Sequence, residues 1–175
     1  MLKKFVIVVL VIVALFVGLG LTLGSDFRVE RRTVIKADAA RVHEHCGELK
    51  NWPAWSPWIE ADPTIKTTLG DKTTGVGAHQ SWTGKDGNGE LTFTKCDAAS
   101  GIQYDMVFID GERRSPSVCV MNYKPVDGGT EVIWVIEGKL DMPLVGPYLA
   151  LAFDGMVGPS FERGLEKLKG LCEKG

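Results

Sequence analysis

The longest uninterrupted apolar stretch lies at the start of the chain. Phe5 to Leu23 is 19 residues without a charge, and 15 of them are Leu, Ile, Val or Phe. A helix of that length spans roughly 28 Å, about the hydrocarbon thickness of a bilayer. The run predicts a single transmembrane helix. A cleaved signal peptide is the alternative reading. The run is longer than the roughly 7–15 residues of a signal core. The small residues near its end, Thr22 and Gly24 around Leu23, also make a weak cleavage site.

Beyond the first segment the pattern changes. Phe27 to Ile35 alternates and is rich in β-branched residues, which predicts a strand. Asp38 is placed to cap a helix running to about Leu49, with Val42, Cys46 and Leu49 as its apolar stripe. Asn51 to Trp58 is broken by Pro53 and Pro57, so only a turn or short helix fits there. From Pro63 the helical period disappears. Thr64–Leu69, Val76–Thr83, Glu90–Cys96, Ile102–Ile109, Val118–Tyr123 and Thr130–Lys139 are short runs separated by turn residues. They predict an antiparallel meander. Ile102, Tyr104, Met106 and Phe108 share one face, so the sheet has a dry side. Val145 to Lys174 returns to helical spacing, with Leu149, Phe153, Met156, Leu165, Leu168 and Cys172 as a stripe. Gly158-Pro159 predicts a kink or break in it.

This order is an α+β arrangement. A curved antiparallel sheet has a dry face, and the C-terminal helix is the element long enough to cover it. A sheet wrapped on one helix leaves room between them, where a ligand would lie.

Composition sharpens the division. The whole chain is at −2, but residues 1–24 hold only Lys3 and Lys4, so the remainder carries 18 basic and 22 acidic groups, a net of −4. An acidic domain without basic runs is a poor binder of nucleic acid. We therefore expect an anchor at 1–25 and one folded domain at 26–175, with no second domain. Lys3 and Lys4 argue for a cytoplasmic N-terminus, whereas Arg28, Arg31, Arg32 and Lys36 pull the other way. The short N-terminal tail favours a single-pass membrane protein with its domain on the extracytoplasmic side. Ala14, Gly18 and Thr22 recur every four residues, a spacing that suits helix pairing but also occurs without it.

Little in the sequence points to catalysis. Cys46, Cys96, Cys119 and Cys172 form no CxxC pair and read as buried or half-buried thiols. His43 and His45 are two apart on a helix and cannot share a metal. No phosphate loop, HExxH or GxSxG occurs, and no metal or cofactor is called for. Asp105, Glu131 and Glu137 read as solvated strand carboxylates, and Arg113 and Arg114 as a solvated turn.

Several segments together resemble a known superfamily. They are Trp55-Ser56-Pro57-Trp58, Gly75-Val76-Gly77, Trp82-Thr83-Gly84 and Gly129-Thr130-Glu131-Val132-Ile133-Trp134. To these add Phe153-Asp154-Gly155-Met156-Val157-Gly158 and the following Gly164, Leu165, Lys167, Leu168 and Lys169. Over about residues 27–173 the chain resembles the START and polyketide cyclase/dehydrase superfamily (SRPBCC), in its membrane-anchored bacterial form. The resemblance implies a helix-grip fold with a deep cavity for hydrophobic molecules, lipids or polyketides. It implies no shared catalytic motif.

The candidate ligand-binding residues are the aromatics Trp55, Trp58, Trp82, Tyr104, Phe108, Trp134 and Phe153. Core packing is the competing account of each, and a loop-fixing plug is the competing account of the Trp-Pro segment. The leading expectation is a membrane-tethered module binding a hydrophobic or lipid-like small molecule. The alternatives are a cyclase-, dehydratase- or hydrolase-type enzyme using the same pocket, or a ligand-free protein-interaction module.

Overall fold

The computed structural model describes residues 2–85 and 87–174. Helix α1 (Leu2–Thr22) leads into β1 (Asp26–Ile35) and α2 (Ala39–Cys46). A 3-10 turn (Leu49–Ala54) and a short α3 (Trp58–Ala61) follow. Six strands come next: β2 (Lys66–Leu69), β3 (His79–Thr83), β4 (Asn88–Asp97), β5 (Gly101–Asp110), β6 (Arg113–Val126) and β7 (Gly129–Lys139). Helix α4 (Gly146–Cys172) closes the chain. The fold is the helix-grip arrangement, an open antiparallel sheet holding one long helix.

The sheet has seven strands in the order β1-β7-β6-β5-β4-β3-β2. From β2 to β7 each strand pairs with the next, and β1 returns to the far edge beside β7, from Asp26 opposite Lys139 to Ile35 opposite Thr130. A register shift between Phe93 and Lys95 bends β4. The core gathers on the inner face, where Val29, Phe93, Ile102, Met121 and Val132 meet Phe161, Leu165 and Leu168 of α4.

Helix α2 is shorter than its apolar spacing predicts. Asp38 caps it as expected, accepting a hydrogen bond from the Arg41 amide. It stops at Cys46 because its last carbonyls are taken by indoles. Trp55 Nε1 donates to His45 O (3.1 Å) and Trp52 Nε1 to Cys46 O (2.9 Å). Two strands also begin later than the alternation suggests. Thr64 is drawn into a turn in which its amide and hydroxyl both bond Asp62 Oδ1. Gly75 and Gly77 take positive φ angles and hold a turn before β3.

Of the kink or break expected at Gly158-Pro159, the break does not occur, and α4 runs on through both residues. Part of proline's clash with the residue before it is with that residue's Cβ, and Gly158 has none. The same glycine makes room for Arg31 of β1. A Cβ at position 158 would lie 2.0 Å from Arg31 Nη2. The guanidinium crosses the helix there, forked to both oxygens of Asp154 (2.8 and 2.9 Å) and bonded to Glu162 (2.6 Å). These ion pairs hold Arg31 as a cation well above its ordinary pKa. Met156 is a second correction. It is 63% exposed, because the inward stripe passes through half-buried Phe153 and Val157 and buried Gly164 and Leu168 and leaves it to one side.

Helix α1 is long and apolar enough to cross a membrane by length and composition. Its side chains are exposed along nearly all its length, and among its described residues only Gly20 is buried. It touches α4 through Phe16, whose ring stacks on Tyr148 at 4.3 Å and whose carbonyl accepts the Tyr148 hydroxyl at 2.5 Å.

At Gly164 the helix lies close against the Trp134 and Pro57 side chains. A Cβ there would stand 2.9 Å from the Trp134 ring and 3.1 Å from Pro57, whereas Gly170 on the same helix faces open space. Alanine improves helix propensity equally at both positions, so the difference isolates the contact. Gly170→Ala is expected to be neutral or to stabilise by up to about 1 kcal/mol. Gly164→Ala is expected to be less stable than Gly170→Ala by about 1–3 kcal/mol in urea unfolding, as overpacking requires. Equal stability of the two variants would contradict this helix-sheet contact.

Candidate functional site

The α4 end nearest Gly164 is fixed by aromatic rings. Phe161 stacks on Trp134 with centroids 3.9 Å apart and planes 10° from parallel. Trp134 meets Trp55 edge-on at 5.5 Å, Trp55 meets Trp52 at 5.3 Å, and Trp52 meets Tyr104 at 5.3 Å. Toward its N-terminus α4 has no such seat on the middle of the sheet, and a cavity of about 360 Å³ opens between them. That volume lies at the lower end of the usual range for small-molecule pockets, roughly 300–1,000 Å³.

The cavity wall follows the rungs of the sheet. Tyr104, Cys119 and Ile136 are successive cross-strand partners, and so are Gln80, Leu91 and Met106. Trp82 and Phe108 form a further pair, with centroids 5.6 Å apart. They can meet because Gly89, which faces both on β4, has no side chain. A Cβ there would be 2.2 Å from the Trp82 ring. Phe153 and Val157 of α4 roof the space, with Phe153 also packed on Phe27 at 4.0 Å. Along β5 burial falls from Ile102 (1%) and Tyr104 (2%) to Phe108 (42%), so the cavity opens toward the Phe108 end.

Of the aromatics singled out in the sequence, Trp58, Trp82, Tyr104, Phe108, Trp134 and Phe153 line this cavity. Trp55 does not. It is fully buried behind Trp134, and its indole nitrogen is occupied by His45 O. Trp52, weighed with Trp55 and Trp58 for the cavity mouth but not chosen as a candidate, stands on the wall. Leu91, Met106 and Gln80 were also missed. Met106 shares the alternation of Tyr104 and Phe108, a usable signal, but a wall glutamine in a short strand gives none.

The polar groups of the wall are few. Trp134 Nε1 donates to the Tyr104 hydroxyl at 3.2 Å. Burial pushes that hydroxyl far above the ordinary tyrosine value, so it stays protonated. Asp62 is buried, and the Thr64 hydroxyl holds its carboxyl below the usual range. Gln80 is buried too, at 9% exposure. Its amide atoms are not among those sealed off without a partner, so they reach the open space of the cavity.

Other candidates lie elsewhere. Glu131 and Glu137 pair with Arg32 and Arg28, Arg114 pairs with Glu90, and Asp105 is exposed. His43 and His45 are off the cavity wall, and His43 Nε2 sits 3.5 Å from Cys96 Sγ. Among the described residues no three His, Cys, Asp or Glu side chains are grouped to hold a metal. All four cysteines are free thiols, with Cys46, Cys119 and Cys172 buried and Cys96 half-buried.

A family model described as polyketide cyclase/dehydrase and lipid transport matches residues 26–173. The chain belongs to this family. Solved structures agree with the family's fold at low sequence identity. A Chromobacterium violaceum protein has a TM-score of 0.63 and 15% identity, over 85% of this chain and 98% of its own. The di-domain ARO/CYC StfQ of the steffimycin biosynthetic pathway has a TM-score of 0.64 and 12% identity, over 85% of this chain and 52% of its own. Ara h 8.0201 has a TM-score of 0.60 and 13% identity, over 84% of this chain and 97% of its own. No curated protein matches the chain. Membership ties this fold to hydrophobic-ligand binding or a cyclase role, the range that the family's description covers.

The buried acids make a prediction about pH. Burial pushes the Cys119 thiol to about 12 and the Cys172 thiol to about 11, and raises Cys46, Tyr104 and Tyr123 as well. In the unfolded chain thiols titrate near about 8.5 and tyrosines near about 10. Above about pH 8.5 the unfolded state therefore loses protons that the folded state keeps, and stability falls with rising pH. Under reducing conditions the urea midpoint is expected to be lower at pH 10.5 than at pH 8. An unchanged or higher midpoint would contradict the burial of these groups.

Proposed function

We propose that this chain is a membrane-tethered binding protein for a hydrophobic or amphipathic small molecule held between sheet and α4. The observation that carries this reading is the apolar cavity of about 360 Å³, walled by Trp58, Trp82, Tyr104, Phe108, Trp134 and Phe153. Filling it would give those side chains the contacts they lack, which is the driving force for an apolar ligand. Family membership supports the same ligand class.

The tether is α1, the anchor segment of residues 1–25, with the binding domain at 26–175. Its exposed apolar surface has no solvent in water and one in a bilayer. Lys3 and Lys4, just before the apolar run, are the charges that favour an exported domain.

Holding is favoured over transforming by the state of the wall's titratable groups. Tyr104 is engaged and locked in its neutral form, and Asp62 spends one oxygen on Thr64 while the other is shut from the cavity. A general acid or base needs a pKa near the working pH and reach to the substrate, and neither group offers both.

Native mass spectrometry and organic extraction of the purified full chain test this reading. We expect one class of hydrophobic compound at near-equimolar ratio, lost from a Met106→Trp variant that fills the cavity but folds. An empty wild-type chain, or an extract identical for the two proteins, would overturn it.

A further inference from the structure

The polar groups on the cavity wall differ in one respect that bears on the ligand. Tyr104 and Asp62 Oδ1 already have partners inside the protein. Asp62 Oδ2 is sealed off, packed toward Gly84. Ser56 is half-buried and Thr67 exposed, where water serves them. Among the buried polar side chains of the wall Gln80 is the exception. It is 9% exposed and lines the cavity, and its side-chain amide has no hydrogen-bond partner among the described residues.

Its neighbours across the sheet do not supply one. Leu91 faces it across β4, Met106 continues the same rung on β5, and Trp82 follows it on the inner face of β3. A leucine would pack there at least as well, so the amide contributes nothing to the wall itself. Charge narrows the choice further. Among the described residues no Lys, Arg or His lines the cavity, so a buried carboxylate or phosphate would lack a counter-ion.

We propose that Gln80 is the polar recognition point of the cavity, and that the buried part of the ligand is neutral, largely apolar and carries a carbonyl or hydroxyl oxygen that bonds the Gln80 amide. This rests on the binding reading above and specifies its ligand class. Apolar rings such as Trp82 and Phe153 supply affinity with little discrimination. Gln80 supplies the discrimination, because a hydrocarbon of the same shape leaves its amide unpaired.

The test uses fluorene, 9-fluorenone and 9-fluorenol, one skeleton without and with the oxygen. Binding is measured by equilibrium dialysis of the full chain in lipid nanodiscs, with empty nanodiscs subtracted. The wild type is expected to prefer the ketone and alcohol over fluorene by roughly 5- to 10-fold. Gln80→Leu is expected to lose that preference while still binding fluorene. Gln80→Met, which keeps the side-chain length, should do the same and serves if the leucine variant folds poorly. A wild type that binds all three equally, or variants that keep the preference, would overturn the role of Gln80 and leave the cavity reading standing. If a folded wild type binds none of the three, the cavity reading falls and this proposal with it.

Discussion

The stack of Phe161 on Trp134 is the contact on which the rest of the molecule depends. It sets the C-terminal half of α4 against β7, and Gly164 allows the helix to come that close. Such a pair is worth about 0.5–1.5 kcal/mol beyond its buried area. Its greater effect is geometric. Trp134 is also held by Tyr104 and backed by Trp55, so the ring cannot shift without moving two other walls. The helix is thereby fixed at one end of a concave sheet. Along its middle, from Asp154 to Glu162, Arg31 ties it to β1, at the edge of the sheet and not across its centre. A stiff helix held at one end and one edge leaves the middle of the sheet uncovered, and that is where the cavity lies.

The Trp-Pro segment joins this frame to α2. Trp52 and Trp55 close the end of α2 with their indole nitrogens while their rings extend the aromatic cluster inward. The competing accounts of that segment, loop plug and cavity wall, therefore divide between neighbours. Trp55 is plug alone. Trp58 is wall, and Trp52 is both.

Much of the fold was legible because its signals are local. Alternation in Ile102–Ile109 and the spacing of Val42 and Cys46 each reflect which face of an element is dry, and each element formed. What was not legible depended on partners far apart in sequence. The end of α2 depends on tryptophans 6 and 10 residues beyond its carbonyls. The pass of Arg31 over α4 depends on the space left by Gly158, 127 residues later by number. The site was legible as a set of aromatics on the inner face. Gln80 was not, because a lone amide in a five-residue strand looks like any solvated residue until the sheet curls over it.

The central claim is that the space between α4 and the sheet is a persistent apolar cavity. Crystals of the full chain held under xenon pressure test it most directly, since an apolar cavity takes up the gas. The account expects xenon density bounded by Leu91, Met106, Tyr104 and Phe153 with the side chains unmoved. A space closed by collapsed Met106 and Phe153 side chains, with no xenon inside, would contradict it.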